Sequence, residues 1–248
     1  MEPWDAPVRL LPVSFPPVHG EVLGSYLHRL AAANRVNAAR IAQCLSPYSN
    51  PLFTKRTDAL RCWTPTALPR LATMTGVPME TPQRSLPAFA RLAARADGAG
   101  EAVHAHSDLH VACRHCIQRQ GIAGPVLAHM APALRLCRKH AIWLDGACHY
   151  RVGHLDGLVK AQRQRFGLAS RFPDTIDIAT KEAEKLIRSW LMTNYQPILQ
   201  ERWLTRAEQL PQEEARYSNV IRARYDERER IVTYPEFVTV LGLIADPH

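Results

Sequence analysis

The stretch "ACRHCIQRQGIAGPVLAHMAPALRLCRKHAIWLDGACHY", residues 112–150, decides how the rest of the chain is read, because it gathers four of the six cysteines found in 248 residues. Cys113 and Cys116 are separated by two residues, Cys137 and His140 by two more, and twenty residues lie between the pairs. Zinc takes four soft or borderline ligands at tetrahedral corners, and a two-residue gap lets both ligands of a tight turn reach one ion. The spacing predicts one closed Cys3His zinc site. Three thiolates and an imidazole leave no position for water, which makes that zinc structural and not catalytic. Gly121, Gly124, Pro125 and Pro132 between the pairs suit loops and short strands better than the helix of a two-cysteine, two-histidine finger, so a zinc ribbon is expected. Cys148 opens a further knuckle that Arg151 leaves incomplete, and it is expected to pack beneath the ribbon. His104, His106 and His110 are too irregularly spaced for one site and are read as surface or linker positions.

Outward from this centre, composition sets the frame. A chain of 248 residues with 46% hydrophobic content can bury a core and form one to three domains. No charged start leads into an apolar run, and no segment approaches the ~20 apolar residues of a membrane span. A soluble, cytoplasmic protein is expected, with no membrane partner. Paired cysteines at metal-ligand spacing fit a reducing compartment, and Cys44 and Cys62, which have no sequence partner, read as buried thiols.

The formal charge is +8, and it is uneven. Lys and Arg outnumber Asp and Glu by 11 to 6 in residues 1–100 and by 9 to 4 in 101–170, whereas residues 171–248 hold 11 against 13. A polyanion such as DNA is the natural partner of such a surface. If DNA is bound directly, local charge points to Arg114, Arg119, Arg135, Arg138, Lys139, Arg163 and Arg165, with Arg35 and Arg40 as a second contact.

Periodicity supplies the helices. Leu23, Tyr26, Leu27, Leu30 and Ala31 share one helical face, Asn34 is a stop, and Asn37 can cap a second helix, "AARIAQCL". Two helices joined by a short turn form a helix-turn-helix candidate; a plain hairpin with Arg29, Arg35 and Arg40 on a solvated face is the simpler alternative. Thr64, Pro65 and Gly76 bracket a third helix, and residues 78–112 read as a linker running into a short strand. "HLDGLVKAQRQRFGL" spaces Leu155, Leu158, Val159 and Phe166 for a helix with Lys160, Arg163 and Arg165 exposed. Leu186, Ile187, Trp190 and Leu191 form a core stripe; after Pro197 a helix carries Trp203 and Leu204. Thr233 and Glu236 stand at capping-box spacing beside Pro235, which predicts a short closing helix there. The fold class expected is mainly α: an N-terminal helix-turn-helix-like helical domain (1–100), a central zinc ribbon (101–152) and a C-terminal helical domain (153–248).

No HExxH, GxSxG, phosphate-cradling glycine loop or carboxylate cluster is present, which points away from an enzyme. The ordered set "LPVSFPPVHGEVLGSYLHRLAAAN", "LATMTGV", "CRHC" with "CRKHAIWLDGAC" and, more loosely, "VTYPEFVTVLGL" resembles the TniQ family of transposition proteins. The chain departs from the family pattern at Arg114, where Pro is frequent, at Ala141, where Gly is frequent, and at Arg151, where many members complete a second cysteine pair. The resemblance implies a non-enzymatic target-selection adaptor that engages DNA, or a guide-RNA effector complex on DNA, and hands that location to a transposition ATPase regulator and a transposase. Zinc would hold the ribbon rigid so that its cations meet phosphates in register. A homodimer is left open, as are two other readings: a transcription regulator, and a protein-binding scaffold without direct DNA affinity.

Overall fold

The computed structural model describes residues 3–47, 63–96, 108–131, 133–145, 149–193, 196–211 and 218–246. Cys62, His104, His106 and Cys148 lie outside them. The described residues are mainly helical, with two small antiparallel ladders, and divide into two compact units. No helix among them is long and apolar enough to cross a membrane.

The first unit comprises Met1–Arg114 and Ile122–Ala131. Its helices are α1 (Leu23–Asn34), α2 (Ala38–Leu45), α3 (Ala67–Thr75), α4 (Glu80–Ser85) and α5 (Pro87–Ala96). The expected stripe of α1 is buried in full, with Leu23, Tyr26, Leu27 and Leu30 at 0% exposure. Arg35 ends the helix in the left-handed region at φ 54°, and the Asn37 side chain caps α2 by accepting from the Ala39 N–H at 2.8 Å. The third helix begins later than the Thr64–Pro65 pair suggests. Thr64 instead closes a turn by accepting from the Ala67 N–H, while Gly76 caps the far end at φ 65° as expected. Residues 78–96, expected as linker, form α4 and α5. Pro87 is the first residue of α5, a position whose N–H has no helical partner anyway, so this proline starts a helix. Leu86 and Phe89 carry that segment into the core.

Strands β1 (Asp108–Val111) and β2 (Leu127–Met130) pair antiparallel, with Val111 opposite Leu127. His110 is buried, not at the surface. The chain before α1 joins β2 through Val22 N–H to Leu127 O and His129 N–H to Gly20 O. Gly20 is required there: its φ is 77°, and a Cβ would sit 2.7 Å from the His129 carbonyl oxygen. Beside it, Glu21 is fully buried and bidentate with Arg29, at 2.8 and 2.7 Å, while Arg29 also covers the Phe15 ring. Arg29 therefore belongs to the interior and not to a solvated face.

The second unit comprises His115–Gly121 and Pro132–His248. After α6 (Arg114–Gln118) come β3 (Leu136–Cys137), β4 (Ile142–Trp143), α7 (Leu158–Arg171), α8 (Ile176–Met192), α9 (Pro197–Gln209) and α10 (Ser218–Ala245). The buried stripe of α7 is Leu158, Ala161, Gln162 and Arg165, spaced i, i+3, i+4, i+7. Gln162 is fully buried and joins the β3 approach to the helices. Its oxygen accepts from the Arg135 and Leu136 N–H groups and the Tyr234 hydroxyl, and its amide donates to Ala133 O. Burial pushes the Tyr234 hydroxyl pKa up to about 12.

On α8 the core side is Ala179, Ala183 and Ile187, with Trp190 and Leu191 packed against it half-buried; Leu186, expected in the core, is 43% exposed. The small alanines let α10 pack close. Trp203 of α9 is buried, whereas its neighbour Leu204 is 64% exposed, so only one of the two residues expected on that helix joins the core. The short closing helix is not formed: α10 runs from Ser218 through Pro235 without a break. Thr233 and Glu236 do not form a capping box. The Thr233 hydroxyl donates to Glu229 O one turn back, and Glu236 is paired with Arg206 at 2.7 Å.

Candidate metal centre

Local backbone geometry explains why these four residues converge. Ladder β1–β2 ends with Ala112 N–H donating to Val126 O, and the chain then enters the short helix α6, which carries Cys116; Cys113 lies just ahead of it. Cys137 is the last residue of β3, and His140 lies in the four-residue loop before β4. That loop is closed by Ala141 N–H donating to Cys137 O at 2.8 Å.

The ligand atoms of Cys113, Cys116, Cys137 and His140 all lie within 4.8 Å of one another, a group able to hold a metal ion. Cys116 Sγ is 3.7 Å from Cys137 Sγ and 3.4 Å from His140 Nδ1; Cys137 Sγ is 3.6 Å from the same nitrogen. A tetrahedron with metal–sulfur bonds of about 2.3 Å and a metal–nitrogen bond of about 2.0 Å has edges of roughly 3.8 Å and 3.5 Å. The three edges among Cys116, Cys137 and His140 match this, and Cys113 Sγ lies within 4.8 Å of all three, so the group could hold a four-coordinate ion. Cys113 and Cys137 are buried, and Cys116 and His140 are half-buried, which places the group just below the surface.

Ala141 adopts φ 49° immediately after His140. A Cβ in the left-handed region is disfavoured by about 1 kcal/mol or more, partly offset because glycine loses more chain entropy on folding. Its neighbourhood is also tight, since a Cβ on Gly153 would approach the Ala141 methyl to 2.9 Å. Replacing Ala141 with Gly is expected to stabilise the fold by about 0.5–1 kcal/mol. A thermal melt of the two proteins checks this; a lower melting temperature for Ala141→Gly would contradict the geometry.

The basic residues sort themselves by burial. Arg114, Arg119, Arg138, Lys139 and Arg163 are exposed, as are Arg35 and Arg40 in the first unit. Arg135 is partly buried and paired with Asp145 at 3.3 Å. Arg165 departs from expectation: it is 4% exposed and stacks over Phe237 at 5.1 Å, and desolvation lowers its pKa. It packs the core and is removed from the set of surface cations. Arg138 covers the Phe166 ring at 5.7 Å, which brings the metal loop beside α7, where Arg163 lies one turn before Phe166. Arg151, unremarked as a cation in the sequence, forms a bridge with Ile142 and contributes with His115, Gln118, Arg119 and His140 to an open cavity of about 490 Å³. Cys44 is half-buried against the first core.

The fold and site define a mainly helical protein with a Cys3His centre fit to hold a metal ion. Comparison with known protein families, with curated proteins and with solved structures found no match.

Proposed function

We propose that this chain is a zinc-stabilised, non-enzymatic DNA-associated adaptor, of the kind the TniQ transposition proteins represent. Its N-terminal helices would act as a helix-turn-helix and its centre as a zinc ribbon. In this reading the chain marks a target site on DNA for a transposition ATPase regulator and transposase. The observation that carries it is the placing of Arg138 and Lys139, both exposed, between two metal ligands, Cys137 and His140. Zinc bound by its neighbours fixes this pair of cations in space, so a phosphate meets them at a lower ordering cost. Three sulfurs and one imidazole at tetrahedral edges favour zinc among common ions. Arg163 is a further exposed cation of the second unit, and Arg35 and Arg40 are exposed on the first unit.

The test is a titration of labelled duplex at several salt concentrations. Removing one phosphate-binding cation lowers the slope of log K against log salt by about 0.9 for duplex DNA. Arg138→Ala with Lys139→Ala is expected to reduce it by about 1–2, to weaken binding to all sequences alike, and to leave zinc content intact. No measurable duplex affinity at low salt would refute the reading in favour of a scaffold that binds protein alone.

A further inference from the structure

We infer that the cavity beside His140 is a seat for a single phosphate group, gripped by Arg119 and Arg151. Its lining is His115, Gln118, Arg119, His140 and Arg151, a set rich in N–H donors and without a carboxylate. Two guanidiniums and a side-chain amide are the groups that match phosphate oxygens, the guanidinium because its planar fork binds two of them at once.

Several arginines of this unit are neutralised by carboxylates, and these two are not among them. Arg135 and Arg230 pair with Asp145, Arg206 with Glu236, and Arg171 with Asp246. Arg119 and Arg151 pair with no carboxylate among the described residues; the Arg151 guanidinium lies 3.4 Å from His115 Nε2. Both are also held by the chain around the metal. Arg119 follows α6, its N–H donating to His115 O at 3.2 Å, and Arg151 is bridged to Ile142, the residue that begins β4 after the ligand loop. The backbone that carries both cations is therefore held by the same knuckles that carry the candidate ligands, which reduces the ordering cost of binding.

Charge also agrees in sign. Zinc with three thiolates and a neutral imidazole carries one net negative charge, and the two guanidiniums carry two positive ones, so the rim remains cationic.

The phosphate can come from a nucleic-acid backbone or from solution, and only its backbone origin rests on the proposed DNA association. The experiment uses the zinc-loaded full chain in two arms. In the first, inorganic phosphate is titrated to millimolar levels against chloride at equal ionic strength, following the Arg119 and Arg151 Nε–H and Gln118 amide signals by NMR. Saturable shifts confined to these groups are expected, with the Gln118 amide shift lost in Arg119→Ala/Arg151→Ala; unsaturable shifts equal to those in chloride, or a Gln118 shift kept in the variant, would overturn the seat. In the second, the same double variant should bind a short duplex about tenfold more weakly, with a salt slope lower by about 0.9. Lys181→Ala/Arg188→Ala, which removes equal charge from exposed positions of α8, should keep the original slope. Saturable phosphate shifts with an unchanged duplex slope would support the seat and overturn a nucleic-acid source. If the unmodified chain binds no duplex, the proposed function fails and the phosphate arm alone decides the seat.

Discussion

Replacing Cys137 with Ser is expected to abolish metal binding and to unfold the hairpin that presents Arg138 and Lys139. Strands β3 and β4 have two residues each, too few to be stable as a ladder alone. In zinc-finger peptides the binding free energy of a structural zinc, on the order of 10 kcal/mol, is itself the folding free energy. Here part of the segment is held independently, because Gln162 bonds the Arg135 and Leu136 N–H groups and Trp143 packs edge-on against Tyr234 at 5.1 Å. The loss should therefore be several kcal/mol and local to residues 136–143, with α7, α8 and α10 retained. Hydrogen exchange checks this by loss of amide protection in the hairpin, and chelation of the unmodified protein should reproduce it. Unchanged protection and melting in Cys137→Ser would mean the four side chains converge for packing alone.

Loss of the Glu21 carboxylate is the second large effect. Its two oxygens accept from Ser25 Oγ, from both forks of Arg29 and from the Val18 N–H, so no lone pair is wasted despite full burial. Removing one partner of such a pair leaves the other charge uncompensated, and Glu21→Ala should cost about 3–5 kcal/mol. Glu21→Leu combined with Arg29→Leu should cost much less than the sum of the single changes, since no buried charge then remains. Denaturant unfolding of the four proteins in this cycle measures it. Additive losses would show that the pair is not coupled.

The particular elements explain what could be read in advance. The α1 stripe, its end at Asn34, the Asn37 cap and the Gly76 stop were legible because each follows from one residue type at one position. The convergence of Cys113, Cys116, Cys137 and His140 was legible for the same reason, as their spacing alone suggests it. What failed depended on long-range partners. In α7 the i, i+3, i+4, i+7 stripe is regular, yet two of its members are Gln162 and Arg165, which are buried only because Tyr234 and Phe237 of α10 receive them. On α8, apolar size pointed to Leu186, whereas close helix approach selected Ala179 and Ala183. The Thr233–Glu236 spacing imitated a helix start, but Glu236 is claimed by Arg206 and Trp203 of α9. The Glu21–Arg29 pair spans eight residues and is invisible to helical periodicity, because Glu21 precedes α1.

A closed zinc centre that fixes a cationic surface is tested most directly by X-ray absorption at the zinc edge, with metal content measured on the same sample. One zinc per chain is predicted, with three sulfurs at about 2.3 Å, one nitrogen at about 2.0 Å and no bound water. Zinc content near zero, or a shell of oxygens and nitrogens without three sulfurs, would contradict it; a content near two would show that Cys148 contributes to a second site.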